Sequence, residues 1–123
     1  MKGKIVMIGL KSSAVDFEKW PDLTVEKLEA AFSAIEAELS GAGYDPLWCL
    51  IGPGEEDLEI IKRTLREETP DLVMVGAGVR LDPDQFLLFE KVVNVIHEEA
   101  PQAKIAFNTD PFDTVQAVDR WLD

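Results

Sequence analysis

Three short clusters in this chain carry groups suited to gripping a ligand. Lys11-Ser12-Ser13 offers a cation and two hydroxyls. Gly76-Ala77-Gly78-Val79-Arg80 offers backbone N–H groups under little side-chain cover, then a guanidinium. Asn108-Thr109-Asp110 offers an amide, a hydroxyl and a carboxylate ahead of Pro111. Cations, hydroxyls and bare backbone N–H groups all donate to oxyanions, so together they suit a small anion or a phosphorylated ligand. The candidate ligand-binding residues are Lys11, Ser12, Ser13, Gly76, Gly78, Arg80, Asn108, Thr109 and Asp110. The competing reading is structural: the glycines make tight turns and Arg80 pairs with Asp82, Asp84 or Asp110.

Other reactive side chains are sparse. Asp16 and Asp110 could serve magnesium or acid–base chemistry, but an aspartate before proline is equally a turn residue that caps its own loop. His97 stands beside Glu98 on the polar side of a helix, and a lone histidine makes a poor zinc site. Cys49 is the sole cysteine, so no intrachain disulfide or multi-cysteine metal site can form. It falls inside a strand and reads as a buried structural thiol. The dinucleotide glycine fingerprint and the P-loop are both absent, and no metal or cofactor is expected. No residue is assigned a catalytic role.

The elements that would position these clusters follow from periodicity. Lys2 to Leu10 reads as a strand with IVMI at its centre. The connection Lys11 to Leu23 is long for such a joint, and Phe17 and Trp20 stand in it to anchor the loop, cover a pocket or face a partner. Thr24 is the expected N-cap of a helix to about Ser40, with Val25, Leu28, Phe32, Ile35 and Leu39 inward and Ala31 and Ala34 thinning its face. The glycines of Gly41-Ala42-Gly43 end it. A second strand, Leu47 to Ile51, puts Trp48 and Leu50 on the face opposite Cys49. A helix from Glu55 to about Glu68 follows; its acidic first turn disfavours a phosphate there.

Leu72 to Val75 is a short, fully apolar run, as expected of a central strand buried on both faces. The next helix is expected to start at Pro83 with Asp82 as N-cap and to reach about Ala100. Its stripe of Phe86, Phe89, Val92, Val93 and Ile96 is widened by Leu87, Leu88 and Val95, which predicts deep burial or a shared surface. Lys104 to Phe107 is the fourth strand. A last helix, about Asp113 to Leu122, packs through Val115, Val118, Trp121 and Leu122.

Strand and helix thus alternate four times across a single domain, residues 1–123. The fold class is α/β, a three-layer sandwich on a four-stranded parallel sheet of order 2-1-3-4. In that order the ligand clusters all fall at the C-terminal edge of the sheet, and its first and third strands flank the point where such sheets form crevices. At fold level the chain resembles the flavodoxin-like and Rossmann-like proteins, the response regulators and the small cobalamin-binding domains. The resemblance spans nearly the whole chain and stops at the motifs. Gly9 to Ser12 stands where a phospho-receiver has its acidic pair, Gly76-Ala77-Gly78 stands where it has an aspartate, and a cobalamin domain's loop histidine has no counterpart.

Charge bounds the partners. Across 123 residues, 24 acidic side chains against 12 basic ones leave a formal charge of −12. That sign disfavours nucleic acid and anionic membrane surfaces, where cations supply the affinity. A 46% hydrophobic content supports a genuine core. No stretch is long and apolar enough to span a bilayer, and a cytoplasmic location is expected. Four strands leave sheet edges open, so a homodimer is expected. Two function classes emerge. One is a non-catalytic binding or regulatory module for a small anionic ligand or a protein partner. The other is a small enzyme using the same edge for phosphoryl or acyl chemistry.

Overall fold

The computed structural model describes residues 2–122. Its elements, in chain order, are β1 (Lys4–Leu10), α1 (Val25–Gly41), β2 (Asp45–Ile51), α2 (Glu55–Glu68), β3 (Leu72–Val75), α3 (Ala77–Arg80), α4 (Phe86–Glu99), β4 (Lys104–Phe107) and α5 (Thr114–Leu122). The four strands form one all-parallel sheet of order β2-β1-β3-β4, as expected. The register pairs Met7 with Trp48 on one side and with Met74 on the other.

The alternation of side chains along the central strands explains the layers. Val6, Ile8, Val73 and Val75 pack with Leu58, Ile61 and Leu65 of α2 and Val92 and Ile96 of α4. Ile5, Met7, Leu72 and Met74 point the other way, onto Ile35 and Leu39 of α1 and Val118 of α5. Both faces of β1 and β3 are therefore dry, which is why those runs are apolar throughout.

The helix ends carry the expected signals, with adjustments. The Thr24 side chain accepts from the Lys27 amide and starts α1. The glycine that turns the chain out of α1 is Gly43, with φ of 100°. Asp82 accepts from the Asp84 amide, but it caps a single 3-10 turn, Pro83–Gln85, and α4 proper begins at Phe86. A one-turn helix, α3, occupies the stretch expected to be an open glycine loop. Without a β-carbon, Gly76 lets this turn lie close against β1: a β-carbon there would stand 3.3 Å from the Ile8 carbonyl.

Burial corrects several inward assignments. On α4, Leu88, Val92, Val95 and Ile96 are buried, whereas Phe86 is 64% and Leu87 60% exposed. Both belong to the first turn of α4. Val25 on α1 and Trp121 on α5, each at a helix terminus, are exposed as well. Cys49 is buried, and burial pushes its thiol pKa up, with the Asp57 charge adding to the rise and a hydrogen bond with Thr64 offsetting part of it. His97 is exposed on the outer face of α4.

Candidate functional site

The cleft at the C-terminal edge of the sheet begins with a missing side chain. Gly9, near the end of β1, faces the α1 side, next to Trp48 on β2. A β-carbon there would lie 2.9 Å from the Trp48 ring. The glycine leaves room, and the tryptophan is fixed: its Nε1–H donates to the Phe32 carbonyl at 2.9 Å, and its ring lies 4.7 Å from that of Phe32. Leu28, Ala31 and Ile35 of α1 continue the wall, Ala31 being the short side chain that keeps it open. The resulting cleft holds about 280 Å³.

The opposite wall comes from the exits of β3 and β4. Gly76, Ala77, Gly78 and Leu81 form one part of it, and the turn Asn108 to Pro111 forms the other. This turn is shaped by Asp113, whose carboxylate accepts from the Thr109 and Asp110 amides and from the Thr109 hydroxyl. Burial alone would raise the Asp113 pKa. The hydrogen bonds from Thr109 and Asp110, with Arg120 nearby, outweigh it and hold the carboxyl below its usual range. Asp110 accepts from the Phe112 amide at 2.6 Å, the turn-capping role expected of an aspartate before proline. Asn108 is 3% exposed; its Nδ2 donates to Thr114 Oγ1 at 3.0 Å, and its Oδ1 has no hydrogen-bond partner among the described residues.

The 11–23 connection closes the third side through Val15, Trp20 and Leu23. Its only regular structure is a 3-10 turn at Ser12–Ala14. What fixes it across the edge is Lys19, whose ammonium lies 2.7 Å from Asp82 and also bonds Asp84. Asp82 is 2% exposed. The hydrogen bond from Lys19 holds the Asp82 carboxyl below its usual range, against the opposing effect of desolvation, and the two carboxylates raise the Lys19 pKa in return.

The predicted residues divide into two sets. Gly76, Gly78, Asn108, Thr109 and Asp110 line the cleft. Lys11, Ser12, Ser13 and Arg80 are not among its lining residues. Lys11 turns to the α2 side, 3.6 Å from the buried Asp57. Ser12 and Ser13 lie in the 3-10 turn, outside the cleft lining. Arg80 pairs with none of Asp82, Asp84 or Asp110: its guanidinium donates to the Asn108 carbonyl and lies over the Phe107 ring, 5.8 Å from the centroid. Lys19 has taken the two aspartates instead.

Sequence reasoning offered Trp20 as a candidate cover for a pocket and did not assign Gly9, Leu23, Leu28, Ala31, Phe32 and Trp48 to a site. Two signals pointed there: a glycine ending an apolar strand, and an alanine on the inward stripe of a helix otherwise built from large side chains. The walls are apolar, with Asp110 as the one charged side chain in them. Such a surface can hold a small apolar group and can donate or accept a few hydrogen bonds at its Asn108 end. No protein-family profile matches this chain, and no curated protein or solved structure matches it.

Proposed function

We propose that the chain is a non-catalytic binding module whose occupant enters the cleft between α1 and the exits of β3 and β4. The observation that carries this reading is the cleft itself: an apolar hollow at the switch point between β1 and β3, kept open by Gly9 and Ala31. Parallel α/β sheets bind their ligands at this place. At about 280 Å³ the hollow is just below the roughly 300–1,000 Å³ of sites for drug-sized ligands. A small aromatic or branched aliphatic group fits it; a nucleotide does not. The lining also favours a neutral or cationic occupant over the anion expected from sequence, because neither Lys11, which faces Asp57, nor Arg80, which donates to the Asn108 carbonyl, is part of it.

The test is a titration of the ¹⁵N-labelled protein with indole, followed by amide chemical shifts. Indole moves the signals of Gly9, Gly76 and Gly78 and of the Trp48 ring N–H. Inorganic phosphate leaves them in place. Ala31→Leu fills the hollow and abolishes the indole response. Indole shifts scattered over the surface, or a saturable phosphate response around Lys11 and Arg80, would overturn the reading.

A further inference from the structure

Exposed large apolar side chains are unevenly distributed over this molecule. Seven of the nine lie at the C-terminal edge of the sheet or on the helix starts that share it, and Ile60 and Trp121 are the two elsewhere. All-parallel topology forces this grouping: every strand exit and every helix start falls at one end. Trp20 and Leu81 form the lip of the cleft, Phe86 and Leu87 follow at the start of α4, and Phe112, 83% exposed, follows Pro111 on the other lip. An apolar collar of this kind, gathered at the end of the molecule where a hollow opens, marks an interaction surface.

The same end is acidic. Residues 11–27, 52–57, 76–85 and 108–113 hold eleven carboxylates against four basic side chains. Lys11 is matched by Asp57, and Lys19 by Asp82 and Asp84. Asp16, Glu18, Asp22, Glu26, Glu56 and Asp110 enter no ion pair among the described residues. An apolar collar ringed by unpaired carboxylates complements a surface that is apolar at its centre and basic around it. It repels a second copy of itself, because an isologous contact would set the same carboxylates face to face. It repels anionic lipid in the same way.

We infer that this end of the molecule docks a basic amphipathic segment of another protein, seating one of its apolar side chains in the cleft. The inference rests on the cleft being a binding site, and it adds the collar, the charge and the class of partner. Lysines or arginines flanking the anchor meet the carboxylates of the 11–27 segment and the 108–113 turn. Trp20, Leu81, Phe86, Leu87 and Phe112 cover the apolar stripe.

The probes are three fluorescein-labelled 14-residue peptides: an amphipathic Leu/Trp/Lys helix, the same helix with Glu for each Lys, and a scramble of the first that destroys its stripe. Anisotropy is followed with the whole chain at low and at high salt. The basic amphipathic peptide binds, and binding weakens with salt. Phe86→Ser and Phe112→Ser each weaken it about tenfold, the effect of losing a good anchor contact. Trp121→Ser, at the opposite end, leaves it unchanged. Equal binding of the scramble, equal binding by Phe86→Ser and Phe112→Ser, or binding of the acidic peptide overturns the inference. So does sedimentation showing a dimer that Phe86→Ser dissociates. Indole shifts that survive any of these failures leave the cleft standing and remove only the peptide.

Discussion

Gly9→Ala is the smallest change that tests the cleft. The new β-carbon would stand 2.9 Å from Trp48 Cζ3, 3.5 Å from Trp48 Cε3 and 3.2 Å from Leu50 Cδ2. Unstrained carbon pairs settle at roughly 3.5–4.0 Å, so both neighbours must move by several tenths of an ångström. Leu50 is partly exposed and can swing outward. Trp48 cannot do so freely, because its N–H bond to the Phe32 carbonyl and its tilted contact with the Phe32 ring hold it. Overpacking of this order costs about 1–3 kcal/mol. Removing a glycine from a strand returns roughly 0.5–1 kcal/mol, since φ at Gly9 is not in the left-handed region. The net expectation is a loss of up to about 2.5 kcal/mol, or a fall in Tm of a few degrees for a chain of this size.

The assay is urea unfolding of four proteins: wild type, Gly9→Ala, Trp48→Ala and the double variant. Without the ring, only the 3.2 Å approach to Leu50 offsets the entropy gain, so Gly9→Ala changes sign and stabilises the Trp48→Ala background by about a few tenths of a kcal/mol. In the wild-type background the displaced ring enters the cleft and weakens indole binding. A stabilising Gly9→Ala in wild type, with indole binding intact, would refute the claim that this glycine keeps the cleft open.

Three further outcomes follow from the geometry around it. Asp113→Ala removes the acceptor for two amides and one hydroxyl in the 108–112 turn; it should cost about 1–2 kcal/mol in thermal unfolding and broaden the amide signals of Thr109 and Asp110. Asp82 titrates below an ordinary aspartate when folded, so its contribution is complete above the unfolded pKa of about 4 and is lost as the pH falls through the lower folded value. The stability gap between wild type and Asp82→Asn should therefore close below about pH 4, as read from urea midpoints between pH 2 and 6. Trp48→Phe gives up one hydrogen bond to a helix carbonyl; it should cost about 1 kcal/mol and enlarge the hollow, so that indole binds more weakly.

The architecture was readable because each strand announced itself. Ile5 to Ile8 and Leu72 to Val75 are apolar at every position, which only a strand covered on both faces requires, and the helical stripes between them are regular. From those runs and the rule of right-handed crossovers, order 2-1-3-4 follows. The site was half readable. Topology alone brings Gly76, Gly78 and Asn108 to Asp110 to one edge, and the structure puts them in one cleft. The directions of Lys11 and Arg80 depend on which carboxylate or carbonyl the packed fold brings within reach. Nothing in the spacing reveals that Lys19, sixty-three residues from Asp82, takes the partner assigned to Arg80. The exposure of Phe86 and Leu87 has a similar cause. Periodicity finds the stripe of a helix, but not which of its turns the packed fold covers.

The Lys19 contact also shows how the parts of this edge are tied together. Asp82 accepts from the Asp84 amide, which shapes the turn before α4, and it holds Lys19, which places the neighbouring Trp20 against the cleft. One buried carboxylate therefore sets the position of the cleft's outer wall and the start of the helix that displays Phe86 and Leu87. The two meet at an aspartate with little access to water, where the paired charge is screened less than at the open surface. Truncating Lys19 to alanine removes the cation while leaving that carboxylate in place, so the wall should loosen and the start of α4 should feel the same change. A group that pushes Trp20 aside strains the same contact from the other direction. The hollow and the apolar collar thus share one electrostatic fastening, and a partner that fills the first while covering the second bears on both of its ends.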